Sequence, residues 1–135
     1  MASIFTRIIR GEVPCYKVAE TEHAIAFLDI RPLTQGHTLV VPKLEVDSVF
    51  DLPEAEYAAL FDLVRSVAEA QKVTVPCTRI GLSVLGFEVP HAHVHVVPLR
   101  SEADLNFANP KLQLEPAEFD EVAARLRRAL SVATY

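Results

Sequence analysis

The sequence of 135 residues predicts an α+β domain. Short apolar segments with strand-like alternation are separated by turn signals, and several follow one another directly along the chain. Segments with helical periodicity interrupt them without the regular alternation that a parallel sheet requires. Because the links between successive strands are short, the strands should pair in antiparallel fashion.

The N-terminal third of the chain predicts one helix and three strands. A short amphipathic helix is expected at residues 3–11 (SIFTRIIRG), where apolar positions 4, 5, 8 and 9 precede the helix-ending Gly11. Two strands are expected at residues 15–20 (CYKVAE) and 23–29 (HAIAFLD), on either side of a turn. A third strand at residues 37–42 (HTLVVP) should stop at Pro42.

A long helix is expected in the middle of the chain. It should begin at Asp51 as the N-cap, with Glu54 three residues later, and should end near Lys72. Apolar side chains at helical spacing predict its buried face, which contains Tyr57, Leu60, Phe61, Val64 and Ala68.

The C-terminal part predicts two more strands and a last helix. The strands are expected at residues 78–84 (TRIGLSV) and 91–97 (HAHVHVV), the second bounded by Pro90 and Pro98 because proline inside a strand would break its ladder. The helix should begin near Pro116 and pack through an apolar stripe, namely Phe119, Val122, Leu126 and Leu130.

The composition argues against several classes of partner. The net charge is −5, and no run of lysine or arginine forms a nucleic-acid patch. No stretch approaches the ~18 apolar residues of a membrane helix, and the first apolar segment is too short for a signal peptide. The two cysteines, Cys15 and Cys77, form neither a CxxC pair nor a disulfide framework. We therefore expect a cytoplasmic protein that binds neither nucleic acid nor a membrane.

Three of the five histidines occupy alternate positions within one short segment: His91, His93 and His95. On a strand, these side chains would share one face, while Ala92, Val94 and Val96 would face the core. Successive histidines would lie about 6.5–7 Å apart, so the row has the right size to surround a phosphate group.

Such a row suits nucleophilic catalysis at phosphorus. An imidazole is largely neutral at pH 7 and needs no strong base to attack. The central His93 would form a phosphorylated or nucleotidylated intermediate that water then cleaves. The flanking imidazoles would donate protons or hydrogen bonds to phosphate oxygens and the leaving group, and His37 could approach from another strand.

Two other interpretations remain open at this level. The histidines could be inert, although burying three imidazoles costs free energy unless each is hydrogen-bonded. Alternatively, two histidines on one strand could bind a zinc ion and support a metal-dependent hydrolase. The segment has no following carboxylate and no nearby cysteine, so the metal interpretation is the weaker one.

The segment at residues 91–97, His-Ala-His-Val-His-Val-Val, resembles the signature of the histidine triad (HIT) superfamily at every position. The segments SIFTRIIRGEVPCYKVAE and AIAFLDIRPLTQGHTLVVPK resemble the Hint branch in order and spacing. This resemblance implies a HIT-like fold, with a five-stranded antiparallel sheet that continues across a homodimer. It implies a HIT domain over residues 3–107 and a C-terminal helical extension of the same domain over residues 108–135.

The resemblance also implies a nucleotide hydrolase or transferase that acts at the α-phosphate of purine nucleoside phosphoramidates and needs no cofactor. His93 would be the nucleophile, His91 would orient it, and His95 would contact the phosphate or the leaving group. His37 corresponds to an additional histidine of the family. The remaining implied contacts are to the nucleotide: Phe5, Ile8 and Phe27 around the base, and Asp29 at the ribose hydroxyls with Ile30 beside it.

The chain departs from the family pattern at three places. Ser3 and Thr6 replace a zinc-binding cysteine pair, so we expect no structural zinc. Ser83 replaces an asparagine that contacts phosphate. The loop before the histidines is shortened to VLGFEV, with Glu88 in place of a serine near the leaving group. The changes at Ser83 and Glu88 leave an alternative, a nucleotide-binding or regulatory protein with weak turnover.

Overall fold

Five antiparallel strands form one sheet in the order β1-β2-β3-β5-β4. The computed structural model describes residues 2–133, with the side chains of the last helix described through residue 130. The strands are β1 (Lys17–Glu20), β2 (Ala24–Leu28), β3 (Thr38–Pro42), β4 (Arg79–Ser83) and β5 (Val94–Leu99). Every pairing in the sheet is antiparallel, which confirms the predicted α+β class.

Three α-helices accompany the sheet: α1 (Ile4–Ile9), α2 (Glu54–Thr74) and α3 (Pro116–Ala133). Helix α1 begins where the Oγ of Ser3 accepts a hydrogen bond from the Thr6 amide, and Gly11 follows its end with a positive φ of 78°. Helix α3 begins at Pro116, as predicted. None of the described helices is both long and apolar enough to cross a membrane.

The predicted start of α2 at Asp51 is wrong. Asp51 ends a 3₁₀ turn (Val49–Asp51), and the N-cap of α2 is Pro53, which makes no capping bond through its side chain. A residue before proline avoids the helical region, so Leu52 is extended and the helix cannot run through from Asp51. The buried stripe is also shifted toward Leu63, Val67 and Gln71, whereas Tyr57 is 38% exposed.

The predicted bounds of β5 are wrong at both ends. The strand begins at Val94, and Pro98 lies inside it, paired with Ile80 of β4. Proline is tolerated because β3 pairs with β5 only as far as Val96. Beyond that point, the carbonyl of Pro98 accepts a hydrogen bond from Thr34 Oγ1 at 2.7 Å, so no ladder partner is lost on this side.

Both faces of the central strands are covered. Helices α2 and α3 pack on one face, where the core includes Ala26, Val40, Val94 and Val96. On the opposite face, α1 places Phe5 against a second apolar cluster, formed by Ile25, Phe27, Leu39 and Val41. This explains why β2, β3 and β5 are buried along their whole length instead of alternating between buried and exposed positions.

Two helix side chains donate hydrogen bonds to backbone carbonyls in or next to the sheet. Gln71 of α2 is fully buried, and its Nε2 donates to the carbonyl of Gly36 at 2.9 Å and to that of Val96 at 2.8 Å. It therefore ties the entrance of β3 to β5. Arg127 of α3 donates from a guanidinium nitrogen to the carbonyl of Lys17 at 2.6 Å, so the last helix covers part of the β1 edge.

Candidate active site

A row of side chains crosses the sheet on the α1 face. Phe27 pairs with Leu39, Leu39 pairs with His95, and His95 pairs with Ser83. Directly paired residues of antiparallel strands project from the same face. The apolar cluster, the last histidine of the triad segment and Ser83 are therefore brought together on one face.

The three triad histidines are not equivalent. The rings of His93 and His95 are neighbours, with centroids 5.1 Å apart, and these residues are 7% and 9% exposed. His91 is 0% exposed, and its ring nitrogens contact Ser3 Oγ at 2.6 Å and the Pro42 carbonyl at 2.7 Å. The expectation that three imidazoles line one phosphate-sized row is therefore wrong for His91. As expected, Ala92, Val94 and Val96 face the core.

The protonation pattern of His93 follows from its backbone partner. Its Nδ1 lies 2.8 Å from the carbonyl oxygen of His91, and a carbonyl can only accept. Nδ1 must therefore carry the proton, which leaves Nε2 as the nitrogen with a free lone pair in the neutral ring. His91 thus orients its neighbour through its backbone carbonyl, while its own ring is engaged elsewhere.

His37 and His95 form a directed hydrogen-bond chain. The Leu33 amide donates to His37 Nδ1 at 3.0 Å, so the proton of the neutral His37 ring lies on Nε2. His37 Nε2 then donates to His95 Nδ1, also at 3.0 Å. The proton of His95 is therefore on its Nε2, which makes this nitrogen a hydrogen-bond donor beside the His93 ring.

Burial keeps this chain neutral. Desolvation, followed by the charge of His95, lowers the pKa of His37 to about 3. Desolvation, followed by the charge of His93, lowers the pKa of His95 to about 4. At neutral pH, both rings therefore have one donor and one acceptor nitrogen, as the directed chain requires.

Asp29 lies beside the link between His37 and His95. Its Oδ2 is 3.6 Å from His37 Nε2, and its Oδ1 accepts from the Arg31 amide at 2.9 Å. Burial raises the pKa of this carboxyl, and the negative charge of Glu88 raises it further. The loop that carries the exposed Glu88 therefore lies close enough to act electrostatically on the site.

Ligand atoms of Asp29, His37 and His95 all lie within 4.8 Å of one another, which is a spacing that a metal ion could use. The hydrogen-bond chain opposes this use. A ligating histidine donates its other N–H to an acceptor, but His37 Nδ1 faces the Leu33 N–H instead. The His37 proton is thereby held on Nε2, so the nitrogen nearest to the other two ligands has no free lone pair.

The apolar residues predicted around a base lie together. Phe5 and Phe27 are buried, with ring centroids 5.7 Å apart, and Ile8 packs partly exposed against the same cluster. The Phe5 ring meets the His93 ring edge-on at 5.0 Å. Ile30 is 68% exposed and follows Asp29 directly in the chain.

Sequence reasoning missed one wall of the site. The Phe107 ring lies 4.7 Å from the His95 ring and 6.3 Å from the His37 ring. The charge of Lys111, in the same segment, contributes to the lowered pKa of His37. Both residues lie between the last predicted strand and the last predicted helix, where no spacing marks them.

The five-stranded antiparallel sheet and the alternating histidines that lead into β5 are the features expected of the histidine triad class of α+β proteins. A sequence model described as "HIT domain" matches residues 10–102, more than half of the chain. The chain therefore belongs to the HIT family.

Named relatives include enzymes of two kinds. The chain is 47% identical over 102 residues to an uncharacterised 13.2 kDa HIT-like protein of Azospirillum brasilense, covering 70% of this chain and 83% of that protein. It is 31% identical to the adenosine 5'-monophosphoramidase hnt1 of Schizosaccharomyces pombe, covering 94% of this chain and all of the relative. It is also 31% identical to the adenylylsulfatase HINT3 of Arabidopsis thaliana, covering 91% of this chain and 64% of that protein.

A zinc-bound histidine triad family protein of Mycobacterium smegmatis has a similar solved structure. The TM-score is 0.82 at 29% identity, covering 99% of this chain and 96% of the other. In the present chain, Ser3 and Thr6 offer hydroxyls where the family resemblance implies cysteines, and Ser3 Oγ contacts His91 Nδ1. Structural zinc sites use about four thiolate, imidazole or carboxylate ligands, and two residues of this cluster offer only hydroxyls, so it does not fit a structural zinc ion.

The lowered pKa values make stability depend on pH. In the folded protein, His37 and His95 have pKa values of about 3 and about 4, below the ordinary 6.5 of the unfolded chain. The unfolded chain therefore binds more protons as the pH falls from 6.5 toward 4. We expect the free energy of unfolding to decrease over this window, by up to about 1.4 kcal/mol per pH unit for each histidine.

Urea unfolding at several pH values checks this, with His37→Asn as the matched variant. Asparagine can still accept from the Leu33 amide but does not titrate, so its slope should be shallower. An equal slope in both proteins would contradict the assignment of neutral, buried histidines.

Proposed function

We propose that this protein is a hydrolase of purine nucleoside phosphoramidates, which acts at the α-phosphate through a covalent nucleotidyl-histidine. The observation that carries the proposal is a pair of neighbouring rings whose Nε2 nitrogens differ in protonation. His93 offers an unprotonated Nε2, because its Nδ1 donates to the His91 carbonyl at 2.8 Å. His95, its ring neighbour, offers a protonated Nε2, because its Nδ1 accepts from His37 at 3.0 Å.

In the first step, His93 Nε2 attacks the α-phosphorus, and the bond from phosphorus to the leaving nitrogen breaks. The Nε2–H of His95 donates a hydrogen bond to that nitrogen, which takes a proton from solvent and departs as a neutral amine. In the second step, water attacks the phosphorus and the P–Nε2 bond breaks. The water proton is released to solvent, and the products are a nucleoside monophosphate and the original pair of neutral histidines.

The neighbouring residues supply the nucleotide contacts of this proposal. The base would contact the apolar cluster that contains Phe5, Ile8 and Phe27, which adjoins His93. Asp29 and Ile30, at the end of β2, would receive the ribose. Ser83 is paired with His95 across the sheet and would face a phosphate oxygen. The similarity to a monophosphoramidase over nearly the whole chain supports the same substrate class.

We propose further that two copies pair through β4. This strand lies at an edge of the sheet, and it and the following loop carry exposed apolar side chains: Leu82, Val84, Leu85 and Phe87, which is 94% exposed. An exposed apolar edge is otherwise an aggregation hazard. Pairing between two β4 strands would make the sheet continuous across a homodimer.

If two copies pair in this way, light scattering after size-exclusion chromatography should show one species with the mass of two chains. Leu82→Lys places a charge at the expected contact and should shift the protein to one chain without unfolding it. Val73→Lys is the control, because this α2 residue is 81% exposed and lies outside β4. A wild-type protein that elutes as one chain would refute the pairing.

His93→Ala should abolish hydrolysis of a fluorogenic adenosine phosphoramidate. We expect kcat to fall at least about a hundredfold, or about 2.7 kcal/mol of activation free energy, because no other ring replaces the nucleophile. AMP binding measured by calorimetry should change less than about threefold, since the base and ribose contacts remain.

His23→Ala is the control, because the His23 side chain is 40% exposed and pairs with Glu56 away from the triad. If His93→Ala kept more than about a tenth of the wild-type kcat, covalent catalysis by His93 would be wrong. A wild-type protein that binds AMP but does not turn over the phosphoramidate would favour the regulatory alternative.

Glu88 should make the enzyme prefer amine leaving groups. Its charge acts on Asp29, so it would also repel a departing anion, whereas an amine that departs neutral is not repelled. We expect kcat/KM for AMP linked to lysine to exceed that for adenylyl sulfate, and Glu88→Gln or Glu88→Ser to reduce this ratio roughly tenfold at low salt. Glu69→Gln, an exposed change on the opposite face, is the control. An unchanged ratio would show that Glu88 does not set the preference.

A further inference from the structure

Four side chains join the start of α1 to the triad segment: Ser3, Thr6, Glu45 and His91. We refer to them as the N-terminal clasp. Glu45 lies in the loop after β3, and its Oε1 accepts from the Ser3 amide at 2.9 Å and from the Thr6 hydroxyl. Ser3 Oγ accepts from the Thr6 amide at 3.0 Å and contacts His91 Nδ1 at 2.6 Å.

The direction of the hydrogen bonds in the clasp is fixed by the backbone. The Pro42 carbonyl can only accept, so His91 Nε2 carries the proton and donates to it at 2.7 Å. His91 Nδ1 is then the acceptor in the neutral ring, and the Ser3 hydroxyl must donate to it. Burial lowers the pKa of His91, which favours this neutral form.

Glu45 is an anionic anchor of the clasp. Its side chain is 37% exposed, but the hydrogen bonds from the Ser3 amide and the Thr6 hydroxyl lower its pKa to about 2. Its Oε1 lies 3.9 Å from His91 Nδ1. The carboxylate therefore holds Ser3 in place from one side, while the Ser3 hydroxyl holds the His91 ring from the other.

The clasp acts on the nucleophile through one peptide group. The amide of His91 donates to the Val89 carbonyl at 2.8 Å, and the amide of Ala92 donates to the Val46 carbonyl at 2.7 Å. With its ring also held at both nitrogens, His91 has little freedom to rotate. Its carbonyl oxygen is therefore fixed where it accepts from His93 Nδ1.

We propose that Glu45 is a positioning residue: through Ser3 and His91, it holds the carbonyl that keeps the His93 proton on Nδ1 and the Nε2 lone pair directed at the substrate. This inference rests on the proposed function for its effect on catalysis. It adds a residue outside the histidine segment, and it makes the start of α1 part of the catalytic apparatus. Phe5, on the same helix, is tied to the nucleophile by the same clasp.

The test compares Glu45→Ala with Glu45→Gln. Glutamine keeps an oxygen that can accept from Ser3 and Thr6, whereas alanine removes it. Long-range ¹⁵N–¹H spectra of the ligand-free protein should show His93 protonated at Nδ1 in the wild type and in Glu45→Gln. Glu45→Ala should show a mixture of the two neutral forms. We expect its kcat to fall tenfold or more with KM changed less than about threefold, and glutamine to restore at least a third of the wild-type kcat.

Glu56→Ala is the matched control, because it removes a carboxylate that contacts His23 at 3.1 Å instead of His91. It should leave both the spectrum and kcat unchanged. If Glu45→Ala does not fold, Ser3→Ala breaks the same link at the hydroxyl and should give the same spectral change. A single Nδ1-protonated form of His93 in a folded Glu45→Ala or Ser3→Ala variant would overturn the proposal. Because the spectra need no substrate, they test the clasp even if the phosphoramidate is not hydrolysed.

Discussion

The site depends on backbone groups whose hydrogen-bonding direction cannot change. A neutral imidazole has one donor and one acceptor nitrogen, and nothing in the ring itself decides which is which. Here the Leu33 amide, the His91 carbonyl and the Pro42 carbonyl each face one ring nitrogen, and so they place the proton of His37, His93 and His91. The proton of His95 follows from that of His37. A chemically symmetrical group of histidines thereby becomes an ordered set, with one unprotonated nitrogen beside one donor nitrogen.

The fold supplies the rigidity that this order requires. His95 lies in a strand flanked by β3 and β4, and Gln71 ties β5 to the turn that precedes β3. Apolar layers cover both faces of the sheet, which keeps water away from the rings and favours their neutral forms. Burial between packed layers thus lowers the pKa values of His37 and His95 and keeps both rings neutral, while the Leu33 amide sets the direction of the chain between them.

Much of this arrangement could be predicted from the sequence. Alternation at residues 91–97 placed Ala92, Val94 and Val96 in the core, and short links between strands gave the antiparallel sheet. The isolation of the His91 ring could not be predicted, because it depends on Ser3 and Glu45, which are distant in the chain. The position of Pro98 inside β5 depends on where its neighbour strand ends, and the approach of Phe107 to His95 depends on a loop without a pattern. Local sequence patterns therefore predict which face of a strand is buried, whereas the contact partners of a side chain depend on residues that are distant in the chain.

The contact of Arg127 with the β1 edge has a consequence for how large an assembly can grow. A sheet with two open edges can recruit neighbours at both and extend into a filament. In this sheet, the guanidinium occupies the Lys17 carbonyl, so the last helix obstructs one edge. If two β4 strands meet in the proposed antiparallel pair, each uses the opposite edge on itself, and the symmetry of that contact closes the assembly. In that arrangement, the helix would leave no second open edge for a further copy, and growth would stop at two.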